Sequence, residues 1–374
     1  MQERERLVAG RAGRRWGSLT MSRAASLVIG IAALALAAPA RAQDAFADPL
    51  DAPAVPSPLP AKRLLTAVAF AGPRIVAAGQ RGHVVYSDDR GRTWTQAEVP
   101  VSSDLTALSF PTPQRGWAVG HDGVVLASAD GGRTWTRQLD GRQISPLLSA
   151  AMAAKGLADP VREQIAFLAQ KGPDLPLLDV WFDDEKSGFA VGAFNLILRT
   201  VDGGATWIPW IERSENPKGL HLYSVHRAAG ALFIAGEQGL LLKLDPARQR
   251  FLPCATPYNG SFFGVVGDDR VVLAFGLRGN VFRSGDGGRS WQKVETGVEV
   301  ALTGGARAKD GRLLLASASG QVIVSGNGGE TFFAVPDTRP LPTSALASDG
   351  STLVMVGMLG ARIEALHRGK EGKQ

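Results

Sequence analysis

Apolar and polar positions alternate in short runs along most of the chain, which is the pattern of β-strands rather than of helices. One stretch is typical: "LTALSF" (Leu105–Phe110) is followed by "RGWAVG", "VVLAS" and "TWTRQ", with short polar turns between the runs. Runs of this length that end at glycine or aspartate predict four short antiparallel strands.

A polar eight-residue motif that ends in an aromatic residue interrupts these runs five times. Its copies are "SDDRGRTW" (Ser87–Trp94), "SADGGRTW" (Ser128–Trp135), "TVDGGATW" (Thr200–Trp207), "SGDGGRSW" (Ser284–Trp291) and "SGNGGETF" (Ser325–Phe332). The third-position Asp or Asn can accept hydrogen bonds from nearby backbone N–H groups, and the fifth-position glycine suits a tight turn. The motif therefore predicts a structural hairpin between the third and fourth strands, with its tryptophan buried between neighbouring units. This structural role is assigned to Ser87, Asp89, Gly91, Trp94, Ser128, Asp130, Gly132, Trp135, Asp202, Gly204, Trp207, Asp286, Gly288, Trp291, Asn327 and Gly329.

The spacing of the motif reveals a repeat of about 41 residues. Its aromatic residues fall at positions 94, 135, 207, 291 and 332, so the steps are 41, 72, 84 and 41. The step of 84 residues contains a degenerate copy of the motif at Lys243–Arg250, and the step of 72 residues contains one period plus 31 inserted residues. A second repeat, exemplified by "WAVGHDGVVL", occurs seven times. These periods predict an all-β fold, a seven-bladed β-propeller of four-stranded antiparallel blades.

The seventh unit, Thr343–Leu366, contains only three apparent strands. We expect residues 43–63, and Asp48–Pro60 in particular, to supply the fourth strand, because an open blade would leave an unpaired edge. The alternative is a disordered linker. The propeller itself is assigned to residues 64–366, and residues 367–374 form a charged tail.

The insertion, at about residues 143–174, has the sequence pattern of helices. "SPLLSAAMAAKG" opens at Ser145-Pro146 and "DPVREQIAFLAQKG" at Asp159-Pro160, and each closes with glycine, Gly156 or Gly172. These signals predict a helical hairpin between blades 2 and 3. Packing against the ring and contact with a partner both remain open as its role.

The N-terminal segment has the features of an export signal. Arg23 precedes an uncharged run from Ala24 to Ala40, and Ala40-Arg41-Ala42 ends in a small-x-small pattern, which predicts cleavage and a mature start near Gln43. Translation could start at Met1 or at Met21. Seven arginines and two glutamates give residues 1–42 a charge of +5; the whole chain carries +6, so about +1 remains after cleavage. The basic composition therefore does not indicate a nucleic-acid partner, and the single cysteine, Cys254, excludes an internal disulfide.

The motif is known as the Asp-box, or BNR repeat, and with its period and the "G-x-x-G" turns the chain resembles the seven-bladed photosystem II assembly/stability factor family over about residues 60–366. The resemblance implies a non-enzymatic, chaperone-like scaffold that holds a newly made membrane protein, or its exported part, on the luminal side of a membrane. It implies no cofactor. The expected location is the periplasm, or the thylakoid lumen in a photosynthetic organism, and the expected state is a monomer that reaches the membrane through its partner.

The same topology predicts where a partner would bind. In a propeller, turns between second and third strands emerge on the same side as links from each fourth strand to the next blade, so the helical insertion shares this side with the turns. The turn residues differ chemically from blade to blade, as recognition of an asymmetric partner requires. The candidate partner-binding residues are Arg81, His121, Phe194, Glu237, Arg278 and Met358.

Two other classes of function stay open. A sialidase-like glycoside hydrolase would need a tyrosine nucleophile with a glutamate partner and three arginines; Tyr223 and Glu237 are the candidate pair, whereas Arg81 and Arg278 are the only arginines on the predicted turns. A glycan-binding propeller would need exposed aromatic residues on one face. We expect no metal site, because His221 and His226 should point to opposite sides of a strand.

Overall fold

The computed structural model describes residues 47–154, 156–336 and 340–366, which form a ring of seven antiparallel sheets. Within each sheet the strands pair in chain order, so each blade is a simple meander. The first strands of neighbouring blades contact one another around the ring, and the first strand of blade 7 contacts that of blade 1. The seven-bladed propeller is confirmed.

The strands have the following bounds. Blades 1 to 3 comprise β1 Leu65–Ala71, β2 Arg74–Gly79, β3 Val84–Ser87 and β4 Thr95–Gln96; β5 Leu105–Ser109, β6 Gly116–Gly120, β7 Val125–Ser128 and β8 Thr136–Leu139; β9 Leu177–Phe182, β10 Gly188–Gly192, β11 Ile197–Thr200 and β12 Ile208–Pro209. Blades 4 and 5 comprise β13 Leu222–Ala228, β14 Ala231–Gly236, β15 Leu241–Asp245 and β16 Arg250–Pro253; β17 Phe262–Gly267, β18 Val272–Gly276, β19 Val281–Ser284 and β20 Gln292–Val294. Blades 6 and 7 comprise β21 Leu302–Arg307, β22 Leu313–Ser317, β23 Val322–Ser325 and β24 Phe333–Ala334; β25 Ala345–Ser348, β26 Thr352–Gly357 and β27 Gly360–Ala365.

Each Asp-box forms the hairpin between the third and fourth strands through one set of hydrogen bonds. In blade 2, the Ser128 hydroxyl donates to Asp130 Oδ1 (2.8 Å) and accepts from the Gly132 N–H (2.9 Å). Thr134 donates its N–H to Asp130 Oδ1 (3.0 Å) and its hydroxyl to Oδ2 (2.7 Å). Gly132 has φ 84°, which a residue with a Cβ adopts only with strain. The boxes of blades 1, 3 and 5 repeat this network, and the box of blade 6 differs only in that Asn327 Nδ2 donates to the Thr331 hydroxyl (2.9 Å), so the motif closes a turn.

The box tryptophans lie between neighbouring blades, as predicted, but they are not equally buried. Trp135, Trp207 and Trp291 are 4%, 4% and 8% exposed, and each packs in an apolar cluster with the preceding blade. Trp94 is only half-buried, which corrects the prediction that the box tryptophans are all buried. It packs against the apolar cluster that blade 1 shares with Val356 of blade 7, and blade 7 has no fourth strand among the described residues.

A second set of contacts joins four of the five boxes to the preceding blade. The fourth-position carbonyl of the box accepts a hydrogen bond from a side chain of that blade: Arg74 donates to Gly131 (3.0 Å), Gln138 to Gly203 (2.9 Å), Lys243 to Gly287 (2.7 Å) and Arg283 to Gly328 (2.8 Å). The boxes therefore fasten neighbouring blades together.

The N-terminal segment does not complete blade 7, which corrects the prediction for Asp48–Pro60. Within the described residues blade 7 has three strands, and the segment instead lies against blades 1 and 2. Leu50 is 3% exposed in the cluster between these blades, and the Ala54 N–H donates to the Val99 carbonyl (3.0 Å). Burial of Leu50 there, together with the ion pairs from Arg142 to Asp48 and Asp51, directs the segment away from β27.

The ring closes through the residues that lead into β1. A short 3₁₀ turn, Pro60–Lys62, packs against β27. A Cβ on Gly360 would lie 1.9 Å from the Ala61 carbonyl oxygen, so only glycine permits this approach. In other blades, the segment that links one blade to the next likewise crosses the turn between the second and third strands. In blade 1, a Cβ on Gly82 would lie 2.0 Å from the Val101 carbonyl oxygen.

The insertion is a pair of helices, α1 (Gly141–Ala151) and α2 (Asp159–Gln170), as predicted. However, α1 begins before the predicted Ser145-Pro146, because Asp140 and Gln143 form a reciprocal capping box and Pro146 lies inside the helix. Ile144, Leu148, Ile165 and Leu168 are fully buried in a cluster shared with blades 2 and 3.

Some predictions concern other parts of the chain. The leader 1–42, the mature start near Gln43 and the tail 367–374 lie outside the described residues. Within the described residues, no helix combines the length and the apolar character that crossing a membrane requires.

Candidate partner-binding face

The turns between second and third strands share one geometry in blades 1 to 5. Arg81, Asp122, Phe194, Gln238 and Arg278 have φ between 52° and 57°. Each is followed by a second residue with positive φ, and the N–H of the next residue donates to the carbonyl three residues earlier, as from His83 to Gln80. This is a type I′ turn, whose first central position favours Asn, Asp or Gly. Bulky residues there carry strain of about 1–3 kcal/mol each, which often marks functional positions.

These turns and the links that cross them form one surface, here called the turn face; the surface formed by the Asp-boxes is called the box face. The close approaches of Gly82 to Val101 and of Gly360 to Ala61 show that turn and link touch. The helical insertion follows β8 and is part of the turn face, because Gly123 of the blade 2 turn lies against Gly141 at the start of α1.

The predicted partner-binding residues all lie on these turns, in six different blades. Arg81, His121, Arg278 and Met358 are exposed, whereas Phe194 and Glu237 are half-buried. Of these six, the structure brings together Phe194 and Glu237 through His221, whose ring Nδ1 accepts the Phe194 N–H (3.0 Å) and whose backbone N–H donates to Glu237 Oε2 (2.8 Å).

The sequence-based assignment missed a row of ring side chains beside Phe194. Phe167 of α2 lies 5.4 Å from Phe194, which lies 4.5 Å from His221; Tyr223 follows at 6.4 Å and Phe263 at 5.5 Å (ring centroids). We call these five residues the ring row. Its members come from α2, a turn, the residue before β13 and two first strands, so no periodicity of the sequence could bring them together.

Hydrogen bonds and a cation fix the outer part of the ring row to α2. Gln164 accepts from the Asn195 side chain (3.0 Å), next to Phe194. The Lys171 ammonium lies 4.8 Å from the Phe167 ring and 5.8 Å from the Phe194 ring. The helical insertion is therefore part of the same local structure as the blade 3 turn.

The inner part of the ring row reaches the central channel, a space of about 710 Å³ lined by the first strands of the blades, including Tyr223 and Phe263. Tyr223 donates to Glu237 Oε1 (3.4 Å), and burial together with the Glu237 charge raises the pKa of the Tyr223 hydroxyl.

Two half-buried titratable groups also line the channel. Burial raises the pKa of Asp179 to about 6, although its carboxylate accepts the Val225 N–H (2.8 Å). Burial lowers the pKa of His226 to about 4, and its ring packs against Trp181 at 4.3 Å. Among the described residues, no group of three or more His, Cys, Asp and Glu is placed to hold a metal ion.

Comparison with known proteins agrees with this architecture. The sequence profile of the photosynthesis system II assembly factor YCF48 family matches residues 86–145 and 168–340. Photosystem II assembly lipoprotein Ycf48 of Synechococcus sp. (strain CC9902) is 30% identical over 162 residues, which are 42% of this chain and 48% of that protein. The match therefore spans about half the length of that relative.

Solved structures show the same fold at low sequence identity. YCF48 bound to a D1 peptide has a TM-score of 0.60 and 15% identity, with 82% of this chain and 95% of that chain covered. YCF48 from Cyanidioschyzon merolae has a TM-score of 0.59 and 17% identity, with 83% and 97% covered. The WD40 propeller domain of Doa1 is similar to nearly the same extent, with a TM-score of 0.58 and 10% identity, so these likenesses concern the fold. Since the family profile matches more than half of the chain, the protein belongs to the photosynthesis system II assembly factor YCF48 family.

Proposed function

We propose that this protein is a non-enzymatic assembly factor that holds a segment of a membrane protein on its turn face. Membership of an assembly-factor family supports this function, and one structural relative was solved with a D1 peptide bound. The proposed partner is the exported part of a membrane protein, and the proposed location is the periplasm or an equivalent lumen, in keeping with the export signal that the sequence predicts in residues 1–42.

The contrast between the two faces carries the proposal. The box face repeats one hydrogen-bond network, whereas the turns of the turn face differ in every blade. Six of the ten large apolar side chains that are exposed within the described residues lie on turns, links or the insertion: Leu59, Phe167, Leu277, Val300, Met358 and Leu359. Exposed apolar side chains interspersed with arginines are typical of protein-binding surfaces.

The charges around Tyr223 favour binding over glycoside hydrolysis. Its hydroxyl contacts Glu237, as a tyrosine nucleophile would require. However, a sialidase also needs three arginines for the carboxylate of its substrate, and Arg81 and Arg278 are the only arginines on the turns between second and third strands. A fluorogenic sialoside assay of the purified protein should show no turnover above the no-enzyme rate, and turnover that Tyr223→Phe abolishes would contradict a non-enzymatic function.

Charge reversal tests the proposed face. The double variant Arg81→Glu/Arg278→Glu changes two exposed turn residues, and Arg92→Glu/Arg289→Glu makes the matched change on the box face, where both arginines are also exposed. In a crosslinking pull-down from membranes, we expect the first pair to reduce recovery of the co-purified membrane protein and the second to leave it unchanged.

Replacement of residues 143–174 by a short Gly-Ser loop tests the insertion in the same assay. Circular dichroism and thermal melting establish that each variant is folded. If folded turn-face and loop variants recover the same membrane protein as the wild type, the turn face is not the binding site.

A further inference from the structure

We infer that the partner segment binds as an extended peptide along the ring row, from Phe167 on the insertion to Phe263 at the central channel. This inference rests on the proposed function and adds to it the position and the chemistry of the bound segment. The ring row is continuous, since its successive ring centroids are 5.4, 4.5, 6.4 and 5.5 Å apart.

The backbone conformation of Phe194 indicates that its phenyl ring has a role other than forming the turn. Phe194 has φ 55° and ψ 39°, in a turn position where Asn or Gly would fit without strain. A bulky residue in this region is a genuine outlier. His221 Nδ1 accepts the Phe194 N–H and α2 packs Phe167 on the ring, so the surrounding structure holds the strained residue in place.

The ring row offers both donors and acceptors to a peptide backbone. Because Nδ1 of His221 accepts a hydrogen bond, the neutral ring carries its proton on Nε2, and none of the described residues accepts that proton. Tyr223 donates to Glu237, which leaves the phenol oxygen free to accept. An extended chain presents carbonyl and N–H groups alternately along its length and can satisfy both.

The tilt of the rings favours a peptide over a sugar. Successive rings are inclined to each other by 79°, 56°, 35° and 75°. They therefore do not form the flat platform on which a pyranose ring stacks, but an uneven surface of faces and edges. Alternate side chains on one side of an extended strand are about 6.6 Å apart, similar to the 4.5–6.4 Å between successive ring centroids, so apolar side chains of the segment can pack on successive rings.

Site-specific photocrosslinking in cells tests this inference on the full-length protein. The crosslinking amino acid is introduced in place of Phe167, of Met358 or of Phe333. Met358 lies on the turn face of blade 7 and Phe333 lies on an outer strand. The two side chains are nearly equally exposed (68% and 69%). We expect adducts from position 167 to one short segment of a single membrane protein, identified by mass spectrometry, and none from position 333.

The outcomes separate the inference from the proposed function. Adducts to a membrane protein from position 358 without adducts from position 167 would keep the turn face as the binding surface and overturn the ring row as the site. Absence of adducts to any membrane protein from both turn-face positions would overturn both proposals.

Titration with defined ligands then tests the chemistry. The probes are a synthetic peptide of the crosslinked segment, chitohexaose and sialyllactose, measured by calorimetry. We expect the peptide alone to bind, Phe194→Asn to weaken it by about tenfold or more because a central aromatic contact is lost, and Phe333→Ser, on the exposed outer strand β24, to change it by less than about twofold. Asn suits the left-handed turn, so the variant should stay folded. Binding of either sugar at the ring row, or unchanged peptide affinity in Phe194→Asn, would overturn the inference.

Discussion

The aspartates of the Asp-boxes show how single carboxylate charges stabilise this fold. Asp89 and Asp202 each accept from the hydroxyl and the N–H of a threonine four residues later, and these bonds lower the pKa of both to about 2. The same contacts with Ser290 lower the pKa of Asp286 as well. In blade 6 the position is Asn327, whose Nδ2 donates to the Thr331 hydroxyl (2.9 Å), so the hairpin also forms without a charge.

These pKa values predict where the fold loses stability in acid. A carboxylate whose folded pKa lies below its ordinary 3.8 stabilises the protein above that pH, and the contribution is lost as the pH falls through about 2. We expect the melting temperature to fall between pH 4 and pH 2, and the triple variant Asp89→Asn/Asp202→Asn/Asp286→Asn to fall less steeply. An identical pH dependence in the triple variant would show that the box carboxylates are not responsible.

The box tryptophans differ in how much of the core they fill. Trp135 is 4% exposed between blades 1 and 2, so Trp135→Ala should lower the free energy of unfolding by about 3–5 kcal/mol. Trp94 is half-buried beside the three-stranded blade, and Trp94→Ala should cost less. Chemical denaturation of the two variants measures the difference, and equal losses would mean that Trp94 is covered as fully as Trp135.

The N-terminal segment contributes to the ring as an apolar clamp between blades 1 and 2. Leu50 is buried in that cluster, so Leu50→Ala should lower the free energy of unfolding by about 2–5 kcal/mol. Leu59 of the same segment is 55% exposed, and Leu59→Ala should change it by less than about 0.5 kcal/mol. If both variants melt like the wild type, the segment is a passive linker.

The elements that sequence could predict are those with a local signature. The Asp-boxes, the seven units and the helical hairpin each depend on residues close in the chain, such as Asp130 with Thr134 or Gly172 after α2. The path of Asp48–Pro60 was predicted wrongly because it depends on competition between two distant surfaces, and the cluster around Leu50 prevails over the edge of β27. The ring row was not predicted for the same reason, since Phe167 and Phe263 contact Phe194 and Tyr223 only once the propeller has folded.

The two faces of the complete ring are built differently. On the box face, hydrogen bonds such as that from Arg283 to Gly328 join neighbouring blades, and the same network recurs around the ring. On the turn face, strained and chemically different residues are presented on a rigid frame, next to the insertion. We therefore expect changes on the box face to affect stability first, and changes on the turn face to affect partner binding first.

Hydrogen–deuterium exchange of the purified protein with and without its crosslink-identified membrane partner tests this division most directly. We predict slower exchange in the bound state for the turns at residues 79–83, 193–196 and 236–240 and for α2, with no change in the boxes at residues 87–94, 128–135 and 284–291. Protection of the boxes, with unchanged exchange in the turns and in α2, would contradict it.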